Sequence, residues 1–282
     1  MSNLTTAANW PLEPPLAAIA AVAVLYAVGL RRRAAARRRI ERRWRAAAFY
    51  VGLLAIVAAL DSPIAAYDDR FFSVHMTQHL LLMMVAPPLL VLGHPWMPIW
   101  QVLPLAVRRD VAGQLTRARW AAPLRSTGGF VARPLTTWVL ANGVMVLWHV
   151  PRLYDATVTN AGVHYLEHAL FFSTSLLLWM QLIDSPPFHA RLDRFQRAVY
   201  GAGALAVGWI LAIVLAFAPA PLYAAYADQA GQSGLSAIGD QQLGAGVLWV
   251  PGSIALTIAI CVNFYLWLDP QGGRRVRLAG QH

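Results

Sequence analysis

Two short strings hold the residues best equipped for chemistry in this chain. HMTQH contains His75 and His79; HYLEH contains His164 and His168. Residues four apart share one face of an α-helix, so each pair would present two imidazoles one turn apart. A fifth ring, His149, stands in WHVP. Imidazole nitrogens bind zinc, copper, iron and nickel and exchange protons near neutral pH. One such pair on one helix says little. Two pairs and a fifth ring say much more if the fold delivers them to one place, so the elements that carry them decide the reading.

Those elements are apolar. Of 282 residues, 58% are hydrophobic and 13% charged. Soluble domains carry about 25% charge, so composition alone indicates an integral membrane protein. Stretches suited to spanning (about 17–25 residues as helix) run over approximately 12–30, 46–60, 71–92, 135–150, 162–183, 199–218 and 243–268. The second is short and extends into its flanks. The alternating pattern of barrel strands is absent, and backbone in lipid must satisfy its own hydrogen bonds. The expected fold is all-α: one integral membrane domain over 1–282, a polytopic bundle of seven transmembrane helices.

Charge orients the bundle. Nine arginines fall between Arg31 and Arg45, and the chain has no lysine. Sorted by alternate connections, one side collects 21 of the 23 arginines with five acids, the other two arginines with eight acids. The positive-inside rule then places the N-terminus outside and the C-terminus in the cytoplasm. The net charge of +10 is thereby a topology signal, and no nucleic-acid partner is expected. The apolar start precedes the arginines, the reverse of a secretory signal, so no cleavable signal peptide is expected. Cys261 is the single cysteine; it has no thiol partner and reads as a packing residue. Pro87-Pro88 must kink or unwind the third span. Pro104 to Trp120 mixes Leu, Val and Trp with Arg and suits an interfacial amphipathic helix or a plain surface loop.

With this orientation the histidines converge. The third and fifth spans both begin outside, which puts His75 and His79 about 6 and 12 Å below one helix start and His164 and His168 about 3 and 9 Å below the other. The fourth span ends outside at His149. His94, His189 and His282 fall on the cytoplasmic side. Ionisable residues inside a membrane are costly and usually functional, so the five rings read as a metal or cofactor site, with copper as the first candidate and zinc or haem as alternatives. Met76, beside His75, would offer a soft thioether. Glu167 would act as an accessory acceptor that orients a ligand. Asp61, Asp68 and Asp69 would concentrate cations at the entrance. The string from His164 to His168 also matches HxxEH, the pattern of an inverted zinc metallopeptidase. A haem-binding membrane cytochrome would use one ring from each helix. Transport would need polar residues through the whole thickness, and the inner halves of the third and fifth spans are apolar, with Asn142 and Asn263 as polar exceptions elsewhere.

Longer strings then carry a resemblance. HMTQHLLLMMVAPPLLVLGHP, WHVPRLYD, HYLEHALFFSTSLLLW and DQQLGAGVLWVPG strongly resemble the CtaG family of multi-span, caa-type cytochrome c oxidase assembly factors, in the same order and with similar spacing from the third span to the seventh. The first two spans match only in character. The single-span, paired-thiol copper chaperone that shares the name is a different protein. The resemblance implies a non-enzymatic protein of the bacterial cytoplasmic membrane. Its partners would be cytochrome c oxidase subunits and the bilayer, and it would help insert a metal, plausibly copper. The family's histidine motifs map onto His75, His79, His149, His164 and His168, and Asp240 and Gln241 open its DQQ string as accessory residues.

Overall fold

The computed structural model describes residues 14–32, 39–227 and 234–269. The expected start of the first span at Leu12, the arginines between 33 and 38, Asp228, the tail arginines Arg274, Arg275 and Arg277, and His282 lie outside the described residues.

Helix dominates the described residues, and no strand occurs among them. The order is α1 (Pro14–Arg32), α2 (Arg39–Leu60), α3 (Pro63–Tyr67), α4 (Phe72–Leu80), a π-helical turn (Leu81–Val85), α5 (Ala86–Leu92), α6 (Trp96–Trp100), α7 (Leu105–Arg117), a 3-10 turn (Arg119–Ala121), α8 (Ala122–Val131), α9 (Pro134–Trp148), α10 (Pro151–Thr159), α11 (Ala161–Leu182), α12 (Arg194–Ala216), α13 (Ala224–Ala227) and α14 (Ala237–Leu268). Among the described residues, four stretches are long and apolar enough to cross a bilayer: Arg43–Tyr67, Phe72–Leu92, Arg194–Ala216 and Ala237–Leu268. A fifth is added if α8 and α9, bent by 75° at their junction, count as one broken span.

Helix ends follow local chemistry. Asn160 caps α11 by accepting from the Gly162 and Val163 amides at 2.9 and 3.2 Å. Asp193 and Gln196 form a reciprocal capping box at the start of α12. Pro151 follows α9 closely, and a residue before proline avoids helical backbone, so α9 stops at Trp148 with Val150 extended. The longest run, α14, has 32 residues, about 48 Å at helical rise. It exceeds the hydrocarbon thickness of about 30 Å, so it starts earlier than the apolar run that suggested it.

Pro87-Pro88 is accommodated by the π turn. A proline inside a helix lacks a donor for the carbonyl four residues back and crowds it. Here the Ala86 amide reaches back five residues to the Leu81 carbonyl, and the Met83 carbonyl, for which Pro87 offers no amide, accepts from the Trp179 indole at 2.9 Å. The span bends without leaving that polar group bare.

Long runs pack side by side. α12 lies along α14, α14 along α4, α2 along α5, and α11 along α9. The Gln78 amide donates to the Ala59 carbonyl at the end of α2 (2.7 Å), and the Tyr26 hydroxyl donates to the Gly93 carbonyl beyond α5 (2.8 Å). Gly29 lets α1 touch α6: a Cβ there would stand 2.0 Å from the Pro98 carbonyl oxygen. The outward faces are apolar, with Leu135 74% and Val250 67% exposed, whereas His75, Gln78, Glu167 and Asp240 are buried. Apolar outside and polar inside is the distribution a lipid solvent imposes.

Candidate metal centre

Three helix starts and one helix end build the site. α4 and α11 both begin at the same end of the bundle, α9 ends there, and α14 begins there. The start of α4 has no cap of its own, since Phe71 makes no side-chain cap hydrogen bond. Asp240 of α14 supplies one: its carboxylate accepts from the Phe72 amide at 2.6 Å, the Ser73 amide at 3.2 Å and the Ser73 hydroxyl at 2.5 Å. A carboxylate at a helix start also meets the positive end of the helix dipole. Gln241 clips the neighbouring chain, accepting from the Leu222 amide at 2.7 Å and donating to the Leu215 carbonyl at 2.9 Å. Gly244 permits this contact, because a Cβ there would fall 2.4 Å from the Phe72 ring. Asp240 and Gln241 therefore hold α4 in register and stand apart from the imidazoles.

His75, His79, Glu167 and His168, all buried, bring one ligand atom each to within 4.8 Å of one another. The Nε2 atoms of His75 and His79 are 2.8 Å apart. Glu167 Oε2 lies 3.4 Å from the first and 3.5 Å from the second. Metal–nitrogen and metal–oxygen bonds of about 2.0–2.1 Å put tetrahedral donors about 3.3–3.4 Å apart and donors at right angles about 2.8–2.9 Å apart. The three edges among His75, His79 and Glu167 lie close to those values, and His168 completes the group within 4.8 Å.

Glu167 follows His164 by three residues and precedes His168 by one, and residues three and four apart share a helix face. It points with the rings and stands among them, nearer than the accessory position its sequence context suggested. His164 sits at the margin: its ring is 4.1 Å from that of His168 and 4.9 Å from that of His75, and its Nε2 is 3.8 Å from Asp68 Oδ2. Burial raises the Asp68 carboxyl above its ordinary value, and a hydrogen bond to Gln78 counters only part of this. The His149 ring is 6.3 Å from that of His79. Met76 turns away: its sulfur faces the Tyr154 hydroxyl at 4.0 Å. Met83, Met84 and Met145 line a separate, deeper cavity of about 30 Å³.

Hydrogen-bond accounting fixes which nitrogens hold lone pairs. The Tyr226 hydroxyl donates its one proton to the Asp68 carbonyl (2.8 Å), so toward His75 Nδ1, 3.0 Å away, it is an acceptor. His75 Nδ1 then carries the proton, and its Nε2 holds a lone pair that accepts from His79 Nε2 at 2.8 Å. The same logic applies at His149, whose Nδ1 donates to the Met145 carbonyl at 2.7 Å. Tyr226 was invisible to sequence reasoning, which found no spacing to link it to a residue 151 positions earlier.

The remaining polar atoms are the notable ones. Both Glu167 oxygens and the Nε2 atoms of His149, His164 and His168 are buried without a hydrogen-bond partner. Buried polar atoms are normally satisfied, and leaving one bare costs about 1–3 kcal/mol. Of these residues, Glu167 and His168 belong to the group whose ligand atoms lie within 4.8 Å of one another, and bare acceptors so placed fit a cation. The donor set, three imidazoles and a carboxylate, suits borderline divalent ions.

Comparison with known proteins now bears on this site. The family model described as cytochrome c oxidase caa3 assembly factor, Caa3_CtaG, matches residues 24–269. The chain belongs to that family. The match covers α2 to α14 and the second half of α1, from residue 24, so every residue of the cluster lies within the assembly-factor region. Uncharacterised proteins of Mycobacterium bovis and Mycobacterium tuberculosis are each 28% identical to it over 253 residues, 88% of this chain and 38% of theirs. An uncharacterised protein of Mycobacterium leprae is 24% identical over 224 residues, 79% of this chain and 34% of its own. The chain thus spans little more than a third of the length of these curated relatives. No solved structure matches it.

Proposed function

We propose that this assembly-factor family member holds one copper ion at the histidine end of a seven-span bundle and passes it to a cytochrome c oxidase subunit in the bacterial cytoplasmic membrane. In this reading the N-terminus lies outside and the C-terminus in the cytoplasm. Copper is cargo, and no substrate is turned over. His75, His79, His168 and Glu167 hold the ion. His164 and His149 stand close enough to replace a departing ligand, which gives transfer a stepwise route.

The observation that carries the reading is the convergence of four buried donor atoms within 4.8 Å, around a carboxylate that has no hydrogen-bond donor. Family membership supplies the oxidase. Copper is favoured over zinc because nitrogen and oxygen sites bind divalent copper more tightly. With Met76 directed elsewhere, the set suits the divalent ion better than the cuprous one.

Metal analysis and an optical spectrum of detergent-purified protein test this directly. The expected result is about one copper per chain, no Soret band, and loss of copper when His75 and His168 are both replaced by alanine. Unchanged copper in that double variant rejects the ligand assignment. In cells lacking the protein, the caa3-type oxidase should assemble copper-depleted; an oxidase with full copper content rejects the delivery role.

A further inference from the structure

The segment from α7 to α8 has an open apolar side and an unbalanced charge. No residue of α7 or α8 is buried. Val107, Val111 and Leu115 follow at intervals of four along α7, and Leu115, Trp120, Leu124 and Phe130 are 45–60% exposed. The two helices pack against each other and against the 3-10 turn between them, and α8 touches α9. Arg125 ties the hairpin together by donating to the Leu115 and Ala118 carbonyls at 3.1 and 3.0 Å. Arg108, Arg109, Arg117 and Arg119 have no ion-pair partner among the described residues. Asp110 is the only acid between Leu105 and Arg133.

Orientation follows from the junction with α9. Arg133, directly before Pro134, is extended with ψ of 137°, as a pre-proline residue prefers. The helical stretch Arg119–Val131 is consequently turned 75° from Pro134–Trp148. If α9 runs across the bilayer, a helix turned this far lies close to the membrane plane. The hairpin would then sit at the boundary with its leucines, tryptophan and phenylalanine toward the acyl chains. Arginine stems can lie along that apolar surface while their guanidinium groups reach phosphates.

We propose that the α7–α8 hairpin is a membrane-surface element that docks on anionic lipid headgroups. A bilayer surface carrying negative charge offers both an apolar layer for the exposed side chains and counter-ions for four unpaired guanidinium groups. Each basic residue near such a surface contributes about 1 kcal/mol, equivalent to about fivefold in the ratio of docked to free hairpin.

The test uses the whole protein with Cys261 replaced by alanine and Leu124→Cys labelled with an environment-sensitive fluorophore. It is reconstituted in vesicles of phosphatidylcholine alone or of equal parts phosphatidylcholine and phosphatidylglycerol. The expected result is a blue-shifted label, shielded from aqueous quencher, in the anionic vesicles only, and reversal of that shift by high salt. Replacing Arg108, Arg109, Arg117 and Arg119 by glutamine should weaken docking about fivefold per residue. A label at Leu115→Cys should report the same behaviour, and one at Thr116→Cys, exposed and turned away from the face of Val107 and Val111, should stay wet. A Leu124 label that is wet in both vesicles overturns the proposal and leaves the face to a protein partner. A label that is dry in both, regardless of salt and arginine, also overturns it and marks α8 as a re-entrant segment.

Discussion

Two polar clusters stand at opposite ends of the same helices, and their hydrogen bonding differs in kind. At one end Asp184 is fully engaged. Arg197 donates to both its oxygens at 2.8 and 2.9 Å, Arg194 donates at 3.3 Å and the Ala190 amide at 3.1 Å. Arg194 goes on to Asn263, whose amide reaches the Leu182 and Ala259 carbonyls. At the other end Glu167 is more deeply buried and neither of its oxygens has a donor. A closed network ties α11, α12 and α14 together. An open one, made of acceptors aimed at one point, needs something else to complete it. That contrast separates a structural polar cluster from a ligand site better than residue type does, since both contain a carboxylate among nitrogen bases.

The contrast breaks if the two ends respond alike to mutation. The largest difference should appear in metal content. Replacing His75 and His168 removes bound copper altogether, whereas Asp184→Asn leaves it in place. Calorimetry should show the matching linkage: copper at a hundred times its dissociation constant stabilises the native protein by about 2.7 kcal/mol and the double histidine variant by nothing. Equal copper-dependent stabilisation of the two proteins would make the open cluster irrelevant to metal.

Removing the cation partner should hurt only the closed end. Arg197→Ala leaves Asp184 with only Arg194 and the Ala190 amide, and breaking a buried pair costs about 3–5 kcal/mol. Because 30% of the Asp184 side chain is exposed, screening brings the expectation down to about 2–3 kcal/mol. Glu167→Gln, measured without metal, should be neutral or stabilising, since it removes a buried carboxylate that nothing satisfies. The same variant should weaken copper binding. Retained copper with loss of a peptidase activity would instead favour the HxxEH reading.

A finer distinction concerns positioning. Tyr226→Phe deletes the acceptor that orients His75 while sparing every proposed ligand. Loss of such an orienting partner typically costs about 10–100-fold in metal affinity, so copper should still bind, more weakly and with an altered optical spectrum. Asp240→Ala should cost about 1 kcal/mol of stability by uncapping α4. Its copper affinity should fall only as far as the start of α4 frays. A full loss of copper in Asp240→Ala would move that residue into the site itself.

Legibility in the sequence followed the range of each interaction. The histidine pairs were readable because their logic is local: four residues make one helical turn. Glu167 was readable by a neighbouring rule, since it follows His164 by three residues, but its place between two histidines suggested an accessory role and the HxxEH pattern a peptidase one. Asp240 was named only through the family's DQQ string, and its role was not readable, nor was Tyr226 at all, because they act on residues 168 and 151 positions away and no local period links them. The proline pair announced a break in the helix. It could not announce that Trp179 would satisfy the carbonyl left behind, which depends on how α11 packs. Helix positions were legible from hydropathy, but their ends were set by caps and by arginines that extend α2 to Arg39, beyond the apolar run.

The smallest effect, acid sensitivity, sharpens the comparison at the closed end. Partial burial pushes the Asp184 carboxyl upward, but the hydrogen bonds and charge of Arg197, with the Ala190 amide and Arg194, outweigh it and hold the group below its ordinary value. A carboxyl that is more acidic folded than unfolded stabilises the fold above the unfolded value, about 3.9. That contribution is lost as pH falls through the folded value. Metal-free protein should therefore keep constant stability from this network between neutral pH and about pH 4 and lose it below. Asp184→Asn should lower the melting temperature at neutral pH and flatten the decline below pH 4. Parallel profiles for the two proteins would mean that the ion pair holds α12 against the end of α11 by packing, with charge contributing nothing.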